Sequence, residues 1–269
     1  MGFKTSDKKI YDLMIEEGLA AKWKSEDFIS LFSRFKKLGF RWNPATCRYD
    51  QFAAPEITQN TPWNHTRPDP RLKCTLDHSI LFNEYGIIST RCLNCWKVVV
   101  TPRTFNELLT LERLQIQMDC ASKCGVEVRD YVPKFYGGYF YNVGPEAGLN
   151  RYKQVREAVS DIISPDVSVI LKRGCTEYEY AKGTQWSISE DQLGIQQMID
   201  LLVSINNGLM DQPNFVKSHV RRSWMLWAHM NGDFSYMEHN GGKKLFPDYK
   251  QYQDMSLEEI KESIKIKKD

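Results

Sequence analysis

Apolar side chains recur at helical spacing along Phe28, Leu31, Phe32, Phe35 and Leu38, which predicts a helix with one buried face. Ser25 stands before the run as an N-cap, with Glu26 and Asp27 in the first turn, where the positive helix end favours acids. Lys36 and Lys37 fill the last turn and Gly39 supplies a left-handed terminus. An earlier helix is expected over about residues 7–17, ending at Gly18. Further along, Thr104 with Glu107 makes a capping box ahead of Leu108, Leu111, Leu114 and Met118, and Gly125 is the expected stop. Pro145 at N1 opens a helix with Leu149, Tyr152, Val155, Val159 and Ile163 on one face. Ser187 with Glu190 opens another, striped by Ile195, Met198, Ile199, Leu202 and Ile205 and closed at Asn207-Gly208. A last helix is predicted over 214–230.

Between these helices lie shorter β-branched and aromatic runs. Residues 79–83 and 86–91 read as a hairpin, and 96–101 (WKVVVT), 126–131 (VEVRDY), 136–142 (YGGYFYN) and 166–174 (DVSVILKRG) as strands. Residues 53–72 carry Pro55, Pro62, Pro68 and Pro70 among polar residues and read as a linker. The predicted class is α+β, a mixed sheet with several packed helices. The expected division is a helical module with a short hairpin (1–52), the linker (53–72), a mixed main domain (73–250) and a charged C-terminal tail (251–269).

Composition adds three constraints. The 269 residues are 42% hydrophobic, enough for a sizeable core, and the formal net charge of +2 advertises neither nucleic acid nor an anionic membrane. No run of 18 apolar residues exists, so no transmembrane helix is expected. The charged N-terminus lacks an apolar leader, although it begins Met-Gly with Ser6 where a myristoylation signal would want it. A cytoplasmic protein is therefore expected, with its seven cysteines reduced and their odd number at variance with a closed disulfide framework.

Those cysteines carry the sharpest chemical signal. Cys92 and Cys95 are separated by two residues, a spacing that turns two sulfurs toward one ion. Cys74 and His78 precede them at i, i+4 and complete a four-ligand set for a structural zinc knuckle. Cys120 and Cys124 form a second i, i+4 pair that stands as an alternative to Cys74 and His78. An iron–sulfur cluster is the alternative to zinc. A redox role for the CxxC is disfavoured, because a strand-like run follows it and not the helix whose dipole lowers a thiol pKa.

Three short patterns resemble known families. Leu38, Gly39, Trp42, Pro44 and Tyr49 resemble a short hairpin that serves as an accessory element in some phage and plasmid DNA-processing proteins, with Trp42 and Tyr49 paired across a turn near 44–47. Asp77-His78 followed by the CxxC resembles part of the ββα-metal motif of HNH nucleases, which implies His78 activating water above a zinc knuckle. The chain departs from that family. Trp96 stands where Asn or His is usual, and both the upstream CxxC and the Pro after Asp-His are missing. Pro165-Asp166 with Glu177 and Glu179 resembles a second nuclease pattern that holds magnesium, but Glu179 replaces its lysine. Alternation along a strand would place Glu177 and Glu179 on one face.

Residues 216–229 set Lys217, Arg221 and Arg222 beside Trp224 and Trp227, the combination used for phosphate contact and base stacking. Val220, Trp224 and Trp227 also share a helical face that would simply be core. The resulting expectation is a zinc-stabilised accessory protein, of viral or mobile-element character, that binds nucleic acid or a nucleic-acid-processing complex. The rivals are a metal-dependent phosphodiesterase and a protein-interaction factor that does not bind nucleic acid.

Overall fold

The computed structural model describes residues 25–37, 39–46, 48–51, 61–67, 74, 76–183, 186–187, 190–204, 212–246 and 251–265. The helix expected over 7–17 and the stop at Asn207-Gly208 lie outside the described residues. Helix α1, Ser25–Lys37, is followed by β1 (Phe40–Asn43), β2 (Arg48–Gln51) and β3 (Trp63–His65). A π-helical segment, Asp77–Phe82, runs into one α turn at Asn83–Tyr85 and then into α2, Thr90–Leu93. Then come β4 (Cys95–Thr101), α3 (Phe105–Met118), β5 (Ser122–Val126), β6 (Tyr136–Val143), α4 (Pro145–Ile162) and β7 (Ser168–Arg173). The chain continues through α5 (Thr176–Lys182), α6 (Glu190–Leu202), β8 (Val203–Ser204), α7 (Asn214–Met230) and α8 (Leu257–Ser263). The class is α+β, as the alternation of patterns predicts.

The main sheet has five strands in the order β3-β5-β6-β4-β7, every neighbour antiparallel. Alternation sends Val98 and Val100 of β4, Cys124 of β5, Phe140 of β6 and Val169 of β7 to one face. There they meet Phe105, Leu108 and Leu111 of α3, Val155 and Val159 of α4, and Val216, Val220 and Trp224 of α7 in one continuous core. Lys97, Lys123, Tyr139, Tyr141 and Lys172 project from the other face, and this face carries the site.

Residues 25–51 form the predicted helix and hairpin. Gly39 takes a positive φ of 84° and turns the chain into β1, and Trp42 meets Tyr49 edge-on with ring centroids 5.5 Å apart. β8 adds to β2 in parallel, and Leu31, Phe32, Phe35 and Tyr49 share a core with Leu76, Ile80, Ile87, Ile199 and Leu202.

Several local expectations are corrected. Residues 79–91 form helical turns and not a hairpin: short apolar runs do not distinguish the two, and here Ile80 and Leu81 are buried by a helical turn. Gly86 ends that turn with φ 64°, and Ser89 then caps α2 by accepting the Cys92 amide. Helix α3 stops at Asp119, which adopts φ 45°, well before Gly125. Within the proline-rich stretch expected as a linker, Trp63–His65 is the edge strand β3. The Pro62 carbonyl accepts from Trp224 Nε1 at 2.7 Å and from the Val126 amide at 3.3 Å, while Asn64 Nδ2 donates to the buried Glu112 carboxylate at 2.7 Å. These bonds draw a polar, proline-bearing segment into the sheet because each satisfies a group that burial would otherwise leave unpaired.

Gly125 lies at that junction, where a Cβ would sit 2.0 Å from the Pro62 carbonyl oxygen. That oxygen is fixed by two donors and cannot retreat cheaply. Gly125→Ala is expected to destabilise the chain by about 2 kcal/mol or more, measured by urea unfolding, with the largest loss of amide-exchange protection in β3 and β5.

Candidate functional site

The open face of the sheet forms one wall of a cavity of about 330 Å³. The π-helical segment, α2 and the turn into α5 supply the opposite wall, and Cys74, His78, Cys92 and Cys175 all open into the space between. Cys175 was not among the ligands predicted from sequence; its position after a β-branched strand reads as simple burial, and only tertiary contact reveals it.

Each thiol is placed by a local device. Cys92 lies in α2, its amide bonded to Ser89 Oγ at 3.2 Å, and its Sγ is 3.4 Å from Tyr178 Oη and 3.9 Å from Asp77 Oδ2. Cys95 opens β4 on the same strand face as Lys97, and its carbonyl accepts from the Gly174 amide at 2.8 Å. That bond sets Cys175 beside the CxxC. Lys97 Nζ reaches Cys175 Sγ at 3.2 Å and lies 5.6 Å from the centre of the Tyr141 ring. Among the described residues no carboxylate pairs with this ammonium. Burial, followed by the nearby Asp77 carboxylate, pushes the Cys92 thiol up to about 11, and burial raises Cys95 as well. Burial outweighs the Lys97 ammonium, which favours the Cys95 thiolate, and both sulfurs stay protonated at neutral pH.

His78 Nε2 is buried and has no hydrogen-bond partner among the described residues, and its ring lies 5.7 Å from Phe82 and 6.2 Å from Tyr178. Asp77, its neighbour, is sealed off: Arg91 grips it through Nη2 at 2.7 Å and Nε at 3.2 Å. An Asp-His pair acting as a nuclease centre would need that carboxylate at the cavity, and the helical backbone here also departs from the strands of a ββα motif. The second acidic pattern separates too. Glu177 and Glu179 lie on α5 and not on a strand, since the extended Cys175 starts a helix there. Glu177 bonds Tyr131 Oη and Arg129, whereas Glu179 pairs with Lys172.

The alternative pair, Cys120 and Cys124, is turned away. Cys124 is fully buried on the helix-covered face of β5, while its neighbour Lys123 points to the cavity. The CxxC is also the reverse of a redox motif, with a four-residue helix leading into a strand. In α7, Val220 and Trp224 are fully buried and Trp227 packs against the same core. Arg221 Nε is committed to Glu112 Oε2 at 2.7 Å, which leaves Arg222 exposed and Lys217 half-buried.

At the cavity mouth Lys123 lies 4.5 Å above the Trp63 ring and 5.6 Å from that of Tyr139. Arg129 holds Glu127 at 2.6 Å and Glu177 at 3.0 Å. Among the described residues, no three His, Cys, Asp or Glu side chains stand close enough to clasp one ion, and no helix is long and apolar enough to cross a membrane. Comparison of the chain with protein-family models, with curated proteins and with solved structures gives no match.

Glu177 yields a pH test. Burial opposes its charge, but bonds from Tyr131, its own backbone surroundings and Arg129 outweigh burial and lower its pKa to about 2. A depressed folded value means stability that is present above the unfolded carboxyl value of about 4.3 and is lost as pH falls toward 2. Glu177→Gln should therefore be less stable than wild type at pH 7, with the deficit closing between about pH 4.3 and 2; denaturant midpoints across that range check it.

Proposed function

We propose that the chain is a metal-binding protein, with a thiolate-ligated centre at the floor of a pocket whose mouth takes nucleic acid. One observation carries this reading: Cys74, Cys92 and Cys175 open into one cavity together with Lys97, a part-buried ammonium that has thiols and a phenol ring around it and, among the described residues, no carboxylate. Thiols of raised pKa become useful ligands when a metal supplies the positive charge, and the lysine offsets part of the negative charge such a centre carries.

The mouth supports the second half of the proposal. Trp63, Tyr139 and Lys123 combine two aromatic rings with a cation, which suits stacking on a base and contact with a phosphate. On this reading nucleic acid meets the chain at the pocket, with Lys217 and Arg222 accessory to it. Hydrolysis of phosphodiesters is disfavoured, because Asp77 is sealed by Arg91 and the two glutamates diverge.

Elemental mass spectrometry of protein purified without chelator should find bound metal in wild type and its loss, with a lower melting temperature, in Cys92→Ser/Cys95→Ser. Equal metal in both proteins, or none in wild type, contradicts the centre. Fluorescence anisotropy with a single-stranded oligonucleotide should show affinity falling by about tenfold between about 50 and about 200 mM salt. Trp63→Ala and Lys123→Ala should each weaken binding more than Arg222→Ala does. Protein interaction without salt-sensitive oligonucleotide affinity would favour the interaction-factor rival.

A further inference from the structure

We propose that Cys74, Cys92, Cys95 and Cys175 are the four ligands of an iron–sulfur cluster, with Lys97 as its buried counter-charge and His78 outside the ligand set. This rests on the thiolate-centre reading above and replaces both the metal and one ligand expected from sequence.

The four thiols come from three parts of the chain: Cys74, Cys92 and Cys175 line one cavity, and Cys95 opens the strand that supplies Lys97 to it. Cys92 and Cys175 pack into the same apolar cluster with Tyr178 and Trp186. The bond from the Gly174 amide to the Cys95 carbonyl brings the β7–α5 turn onto the start of β4. Cys95 shares a strand face with Lys97, and Lys97 touches Cys175. Cys74, an exposed residue, lines the same cavity and lies within electrostatic range of Lys97, Cys175, Cys92 and Cys95. The set is complete at four sulfurs without an imidazole.

Spacing decides between the two metals. One tetrahedral zinc holds each thiolate at about 2.3 Å, so its ligands must crowd around a single point. Among the described residues no three donors are crowded in that way, and Cys74, Cys92 and Cys175 line a space far larger than one ion needs. A cluster of several irons and sulfides spreads its four cysteines around its outside and fills such a space. A CxxC pair completed by distant cysteines, an all-sulfur set and an apolar patch of Phe82, Tyr178 and Trp186 beside Cys92 and Cys175 are what cluster ligation asks for. His78 Nε2, buried and unpartnered at the wall, is then a hydrogen-bond donor to the bound group.

The test uses the full chain purified under anaerobic conditions. Wild type is expected to contain iron and acid-labile sulfide in equal amounts, with visible absorption that bleaches on reduction by dithionite and a paramagnetic resonance in the reduced state. Cys175→Ser is expected to lose most of the iron, whereas His78→Ala and Cys120→Ser keep it. Lys97→Met is expected to retain the cluster and lower its reduction potential, because removing a positive charge disfavours the more negative reduced form. Circular dichroism separates ligand loss from unfolding, and the wild-type resonance does not depend on any variant. Zinc in place of iron overturns the cluster and leaves the thiolate centre standing. Retention of iron in a folded Cys175→Ser together with its loss from His78→Ala overturns the ligand set. Absence of any metal overturns both this inference and the reading it rests on.

Discussion

Lys97 rises from the middle of β4 into a cavity, and its ammonium meets the Cys175 sulfur at 3.2 Å. A charge taken out of water needs an anion, and a neutral thiol is a poor one. Cys175 reaches this lysine from the far end of β7, across the strand pair Lys97 and Lys172. On the proposed reading the surrounding sulfurs supply that anion as thiolates, formed when metal binds. The proposed site thus rests on a single electrostatic requirement, set by one side chain on β4.

The rest of the fold serves that position. The helix-covered face of the sheet buries valines, phenylalanines and Trp224 and fixes the strands, so the opposite face can carry charge. Antiparallel register with β6 and β7 aligns Lys97 with Tyr141 and Lys172, which gives the cavity floor its phenol and its second cation. Asp77, clamped by Arg91, ties the π-helical wall to α2, and Arg91 extends the tie to Asp200 of α6 at 2.9 Å. The wall that carries His78 and Cys92 is therefore anchored to the core around α1 and α6 as well as to the sheet.

Helical periodicity made α1, α3, α4 and α7 legible, because each has a long apolar stripe and a recognisable start. Trp42 and Tyr49 were paired correctly because hairpin register follows from a short turn. Residues 79–91 were misread because six apolar positions around one glycine satisfy strand and helix alike, and the tertiary core chose the helix. β3 was missed because its bonds run to Glu112 and Gln212, and the preceding Pro62 carbonyl to Trp224, residues remote in sequence. Around the cavity, Cys74 and Cys92 stood out by spacing, whereas Cys175 reaches them through the antiparallel pairing of β4 with β7. Cys120 and Cys124 show the opposite error: an attractive i, i+4 pair whose second member faces the wrong side of a strand.

The most direct measurement is X-ray absorption at the metal edge of the purified full-length protein. The account predicts an iron edge with a sulfur-only first shell and a second-shell metal scatterer. A zinc edge with nitrogen in the first shell would replace the cluster with the simpler knuckle. No bound metal at any edge would contradict the claim that the charge of Lys97 is there to serve a thiolate centre.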